Sequence, residues 1–113
     1  KNKDDVAAKE TGTATSTSTA QKSIITFAKA TYRSAKYVIQ ITNSTDSTYH
    51  VTELLLTHDG STADITEYGT IYTGAAAEAT FTADISGANV RLLVTPASGD
   101  TMAYKVILQT IAV

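Results

Sequence analysis

The sequence predicts an all-β fold, an antiparallel β-sandwich of seven to eight strands with an extended N-terminal arm. From Ser23 onward the chain consists of short runs in which apolar and polar residues alternate, as they do along a half-buried strand. Turn-forming residues separate these runs, among them Asp59-Gly60 and the stretch 96–100. Helical spacing of apolar residues is hinted at only in the alanine-rich stretch 74–79. Short strands at such intervals are typical of sandwiches of the immunoglobulin-like or jelly-roll-like kind.

The N-terminal segment, residues 1–22, differs in composition from the rest of the chain. It contains one valine and no larger aliphatic or aromatic residue, so it lacks the apolar surface that would offset the entropy of ordering. Threonine recurs at every second position from Thr11 to Thr19, and threonine favours extended backbone. The segment is therefore either a flexible linker or an arm that is disordered alone and lies as a strand against a neighbouring subunit. We expect an extended or flexible arm over residues 1–22 and a sandwich domain over residues 23–113.

Seven candidate strands follow the arm. The first is a short apolar run, and the others place alternate residues on opposite faces. In the second, for example, Tyr37, Ile39 and Ile41 share one face while Lys36 and Gln40 lie on the other. The seven runs are 23–28, 35–42, 48–58, 63–73, 78–85, 88–95 and 102–113.

The composition argues against several classes of function. The 113 residues include no cysteine, which excludes disulfides, thiolate metal sites and a cysteine nucleophile. The formal net charge of -2 does not favour binding to nucleic acid. No apolar run approaches the ~20 residues that span a bilayer, so no membrane partner is expected. Abundant threonine without tryptophan is more typical of an extracellular or virion β-protein than of a metabolic enzyme.

The stretch "LTHDGSTADITEYG", residues 56–69, concentrates the side chains that could bind a metal ion. Asp59-Gly60 lies between two alternating runs, which predicts a hairpin turn. His50 and His58 are the only histidines, and eight residues of strand at ~3.3 Å each place them about 26 Å apart, too far to share an ion. One imidazole with scattered carboxylates lacks the spacing of a zinc or calcium motif. We therefore predict a turn with neither a metal site nor a cofactor.

Two glutamates on either side of this turn could form an acid/base pair. If the loop has three residues, Glu53 lies opposite Glu67, and two carboxylates at ~5 Å would repel until one held a proton. A loop of two or four residues shifts the register by one and separates them. The sequence does not choose between these registers.

Other catalytic patterns are weaker. The chain has no phosphate-binding glycine loop with its lysine and no serine in a nucleophile elbow, so we assign no catalytic residue and expect no enzymatic activity. Lys29, Arg33 and Lys36 form a modest basic cluster. A solvated connection between strands accounts for it, and a contact with an acidic partner is the alternative.

Four short motifs resemble a domain of virion structural proteins from tailed bacteriophages, notably marine and cyanobacterial phages. These are the "RSAKY" run (Arg33 to Tyr37), "HDG" (His58 to Gly60), "TEY" (Thr66 to Tyr68) and "LLVTP" (Leu92 to Pro96). The similarity covers roughly residues 27–112 and leaves the N-terminal arm outside it.

The resemblance implies a non-enzymatic β-sandwich module in the virion, in a head decoration, capsid-associated, tail, baseplate or fibre component. Its partners would be other virion proteins and copies of itself, reached through the arm and exposed sheet edges. The alternative is a receptor- or glycan-binding module whose loops present Tyr49, Tyr68 or Tyr72 to a host-surface sugar. The absence of tryptophan weighs against a carbohydrate module.

Overall fold

The computed structural model describes residues 6–113, and these residues form two antiparallel sheets. A five-stranded sheet has the order β1-β8-β3-β4-β5, and a three-stranded sheet has the order β2-β7-β6. Within residues 6–113 there is no helix, and hence none that could cross a membrane. The prediction of an all-β antiparallel fold with seven to eight strands is confirmed. The strands are β1 (Ala7–Ser16), β2 (Lys22–Ala28), β3 (Tyr32–Asn43), β4 (Thr48–His58), β5 (Ala63–Tyr72), β6 (Ala79–Ser86), β7 (Asn89–Pro96) and β8 (Met102–Ala112).

The hydrophobic core lies between the two sheets and follows from the alternation in the sequence. Tyr37, Ile39 and Ile41 on β3 are fully buried, as the shared face of that strand predicts. They pack in one cluster with residues of the smaller sheet such as Phe81 and Leu92. The sheet surface turned toward this core is called the inner face below, and the opposite surface of the five-stranded sheet is called the outer face.

The threonine-rich segment is where the structure departs from the expected arm. Residues 7–16 form β1, which pairs with β8 of the same chain over its whole length, from Ala7 opposite Ile111 to Ser16 opposite Met102. The segment therefore belongs to the five-stranded sheet of its own domain and not to a free or neighbour-bound arm. The part of the arm at residues 1–5 lies outside the described residues.

The physical reason is that β1 needs few apolar side chains of its own. Its small residues let β2 approach the inner face: a Cβ built on Gly12 would lie 3.0 Å from Cδ1 of Ile25. At its end, the Ser16 hydroxyl lies 2.7 Å from the buried Tyr104 hydroxyl. Backbone pairing with β8 stabilises the strand, so the shortage of large apolar residues did not prevent its ordering.

Candidate interaction surface

The Asp59-Gly60 pair forms the predicted turn between β4 and β5. Oδ1 of Asp59 accepts hydrogen bonds from the backbone N–H groups of Ser61 at 2.9 Å and Thr62 at 2.8 Å. The hydrogen bond from Thr62, and to a smaller extent that from Ser61, lowers the pKa of the Asp59 carboxyl. Gly60 has φ 93°, a backbone conformation that favours glycine. The carboxylate is therefore occupied by its own turn, and the prediction of a turn is confirmed.

His58 and two residues of the basic cluster, Lys29 and Arg33, support the same turn through hydrogen bonds. The ring Nε2 of His58 lies 2.7 Å from the carbonyl oxygen of Tyr32, and its Nδ1 accepts the N–H of Gly60 at 3.0 Å. Arg33 donates to the carbonyl of His58 at 3.1 Å, and Lys29 donates to the carbonyl of Gly60 at 3.2 Å. The "RSAKY" and "HDG" motifs thus meet in space. The hydrogen bonds that Lys29, Arg33 and His58 make with backbone groups explain the positions of these side chains without an acidic partner.

Glu53 and Glu67 lie on opposite faces of the sheet. The loop has four residues, with His58 opposite Ala63, so Glu53 pairs with Tyr68 while Glu67 pairs with Leu54. Glu53 forms an ion pair with Lys36 at 3.2 Å on the outer face. Glu67 accepts a hydrogen bond from the Thr52 hydroxyl at 2.8 Å. The register therefore separates the two carboxylates, and the acid/base pair does not form.

A polar cluster at the other end of the sandwich was not anticipated from the sequence. Asn43, buried at the end of β3, donates from Nδ2 to Glu78 and to Asp100, each at 3.0 Å. Glu78 also accepts from the Thr48 hydroxyl at 2.6 Å, and its N–H donates to Nδ1 of the buried His50 at 3.1 Å. The only sequence signal was a single acidic residue among the alanines of 74–79.

The pKa shifts in this cluster are those of a structural hydrogen-bond network that joins three loops. The hydrogen bond from Asn43 lowers the pKa of Asp100, and a hydrogen bond with Asp100 raises the pKa of Asp46. Burial lowers the pKa of His50 despite the nearby negative charge of Glu67 and Glu78. Across residues 6–113, no group of three or more histidine, aspartate or glutamate side chains has an arrangement that could hold a metal ion.

The outer face of the five-stranded sheet is the largest feature that these contacts leave unexplained. No strand of the smaller sheet covers it, yet it carries large apolar side chains: Ile71 is 66% exposed, Ile111 56% and Leu55 48%. These apolar side chains lie on four strands and alternate with polar ones such as Lys36, Gln40 and Glu53. Several large exposed apolar side chains on one face indicate an interaction surface. The apolar members are Val38, Tyr49, Val51, Leu55, Tyr68, Ile71, Ile107 and Ile111.

The outer face is shallow, and its depressions are lined by aliphatic residues together with threonines and a few charged residues. Depressions of about 750, 380 and 300 Å³ lie along it. The largest extends from Ala7 on β1 to Thr66 on β5, and its lining contains Leu55 and Ile111 but no aromatic residue. Aromatic side chains, Tyr49 and His50, line only the smallest of the three depressions. The broad, shallow face therefore suits a protein contact better than a sugar ring stacked on an aromatic side chain.

Charges on the outer face are sorted by strand. Two lysines lie on the β1 side, Lys9 on β1 and Lys105 on β8, and Lys36 lies on the central strand β3. The acids, Glu53 and Asp64, lie on β4 and β5. The face is therefore basic along one edge and acidic along the other.

The three tyrosines proposed for sugar binding do not form one platform. Tyr49 and Tyr68 lie on the outer face, 52% and 39% exposed, but four positions apart along the paired strands, because Tyr68 lies opposite Glu53. Tyr72 pairs with His50 on the inner side, where the two ring centroids are 5.7 Å apart. A concave cluster of all three is absent.

Comparison with solved structures identifies the same fold in two tailspike proteins. The tailspike protein of Acinetobacter baumannii phage AM24 matches with a TM-score of 0.59 and 6% identity, over 97% of this chain and 27% of that one. Tailspike protein gp49 of the A. baumannii bacteriophage Fri1, a capsular polysaccharide depolymerase, matches with a TM-score of 0.52 and 20% identity, over 98% of this chain and 19% of that one. No protein-family profile and no curated protein sequence matches the chain.

These likenesses concern the fold. The chain spans about a quarter or less of each tailspike, 27% and 19%. At identities of 6% and 20%, the similarity lies in the arrangement of strands and not in any shared set of side chains. The chain thus has the all-β fold of a segment of two phage tailspikes.

Proposed function

We propose that the chain is a non-enzymatic structural module of a bacteriophage tail component, located in the virion, which assembles with other virion proteins and with copies of itself. The observation that carries the proposal is the uncovered outer face of the five-stranded sheet, with its exposed large apolar side chains such as Ile71, Ile111 and Leu55. Such a face is costly to leave in water, and its burial would drive association. The tailspike fold likeness and the four phage-like motifs support the same conclusion.

The side chains that could perform chemistry support a structural role. His58 and Asp59 hold a turn, Glu53 is paired with Lys36, and Glu78 joins Asn43 and Thr48. A general acid/base pair needs two titratable groups within reach of one substrate atom, and Glu53 and Glu67 lie on opposite faces. Each of these groups has a structural partner.

We assign assembly to the outer face and the sheet edges, and not to a free arm, because residues 7–16 are a strand of the domain's own sheet. Since β1 is already paired with β8, its far side is the edge of the five-stranded sheet and offers regular backbone groups to an added strand. The edge at β5 is less regular because a register shift interrupts its pairing between Val51 and Glu53.

The test is to locate the chain in purified virions of the phage that encodes it. Antibodies raised against the purified domain should label the tail in immunogold electron microscopy, and peptides of the chain should appear in the mass spectrum of the particles. Labelling of the head would contradict the tail assignment, and absence of the chain from the particles would contradict a virion role. Binding of the isolated domain to host capsular polysaccharide, lost on Tyr49→Ala, would favour the glycan-binding alternative, since Tyr49 is half exposed on the outer face.

A further inference from the structure

We propose that the outer face of the five-stranded sheet packs against the same face of a second copy, about a two-fold axis parallel to β3. The inference deepens the proposed assembly role by naming the partner and the geometry. It rests on the area of the face, on its exposed large apolar side chains and on the distribution of its charges.

The area is sufficient for a stable contact. Five strands at a spacing of ~4.8 Å and about ten residues of ~3.4 Å each give a footprint of roughly 24 by 34 Å, or about 800 Å². A specific interface of standard size buries about 800 Å² on each partner. Two twisted sheets pack well face to face when their strands are nearly aligned. The outer face therefore matches what one partner of a pair must supply.

The charges select the orientation of the second copy. A two-fold axis along β3 places β1 and β8 of one copy over β5 and β4 of the other, because the axis reverses the order of strands across the interface. The basic edge with Lys9 and Lys105 then lies over the acidic edge with Glu53 and Asp64. An axis across the strands would instead stack β1 on β1 and bring like charges together.

The strand register places particular residues within reach. Lys9 lies in the same row across the sheet as Leu55 and Thr66, so it would face Thr66 of the second copy. Asp64 is two residues from Thr66 along β5, about 7 Å, which the side chain of a lysine can span. On the axis itself, Lys36 is already paired with Glu53 at 3.2 Å, which reduces its repulsion of its own copy.

The first experiment measures self-association of the full 113-residue chain by sedimentation velocity from micromolar to millimolar concentration. The wild type should form a dimer that weakens at high salt. Val38→Glu should be a monomer, because Val38 lies on the central strand β3 and the new carboxylate would face the same carboxylate of the second copy. The control Thr80→Glu places the same charge on an exposed position of β6 in the other sheet and should leave the dimer intact. A wild type that remains monomeric, or a Val38→Glu variant that dimerises normally, would overturn the proposal.

A second experiment tests the two-fold geometry by charge reversal. Lys9→Asp alone and Asp64→Lys alone should each weaken the dimer by about tenfold, since two contacts per dimer become repulsive. An equimolar mixture of the two variants should regain wild-type affinity, because position 9 of each variant then faces the opposite charge at position 64 of the other variant. A mixture no tighter than the separate variants would overturn this arrangement. These measurements need no virion, so a monomeric chain found in phage tails would refute the self-pairing alone and not the proposed function.

Discussion

Replacement of Ser16 by alanine tests whether β1 is part of the folded domain in solution. Ser16 is the last residue of β1, and its hydroxyl lies 2.7 Å from that of Tyr104, which is fully buried on β8. Without Ser16 the Tyr104 hydroxyl retains only a weak contact, 3.6 Å from Sδ of Met102. A free arm, in contrast, would make no contact for the substitution to remove.

The expected loss follows from the hydrogen bond and its burial. Removing one partner of a buried pair costs the desolvation of the group left behind, about 1–3 kcal/mol. Water can reach the end of β1 once the serine is shortened, so we expect about 1–2 kcal/mol for Ser16→Ala. The neighbouring Thr15 is exposed on the other face, and Thr15→Ala should change stability by less than about 0.5 kcal/mol.

Equilibrium unfolding in urea measures both variants, and a double-mutant cycle with Tyr104→Phe isolates the contact. The summed losses of unfolding free energy of Ser16→Ala and Tyr104→Phe should exceed the loss of the double variant, because both single substitutions remove the same hydrogen bond. Deletion of residues 1–16 should likewise lower stability by more than Ser16→Ala, since it removes the whole strand. If Ser16→Ala is as stable as the Thr15→Ala control and the deletion is neutral, β1 does not pack against β8 in solution, and the assignment of residues 7–16 to the sheet is wrong.

Three further predictions concern the turn and the polar cluster. Gly60→Val should destabilise the domain by ~1 kcal/mol or more because φ is 93°, and Gly60→Asn should cost less; equal unfolding midpoints would contradict this. Burial lowers the pKa of the His50 ring, so the folded state favours neutral imidazole. The contribution of His50 to the free energy of unfolding is therefore complete above about pH 6.5 and is lost as the pH falls below that value. Unfolding measured between pH 8 and about 5 should show this loss, and His50→Gln should remove it. Glu78→Ala should lower the free energy of unfolding by about 2–3 kcal/mol in thermal or urea unfolding, because it removes the hydrogen bonds that Asn43 and Thr48 donate to the carboxylate. A loss near zero would show that the polar cluster does not stabilise the domain.

Alternation of apolar and polar residues predicted most of the fold. The faces of β3, β4 and β8 follow directly from a period of two, because one face is buried against the other sheet and the pattern records it. β1 was the exception. Its partner is β8, some ninety residues away in sequence, and a strand stabilised mainly by backbone pairing leaves little trace in its own side chains.

The candidate site was less accessible to sequence reasoning because it depends on register and on distant contacts. Whether Glu53 meets Glu67 depended on one residue of loop length, which the sequence does not specify. Asn43 and Glu78 are 35 positions apart, and only the packing of two loops brings them together. The outer face was hidden for another reason: leucines and isoleucines at alternate positions predict a strand, but not which strand is left without a covering sheet.

The most direct test of the account is a cryo-electron microscopy map of the intact phage tail at side-chain resolution. We predict density for this sandwich within the tail, with the outer face around Leu55 and Ile107 covered by protein. If the two-fold arrangement holds, that protein is a second copy of the chain. A sandwich located in the tail whose outer face lies open to solvent would contradict the assembly surface, and a location outside the tail would contradict the proposed function.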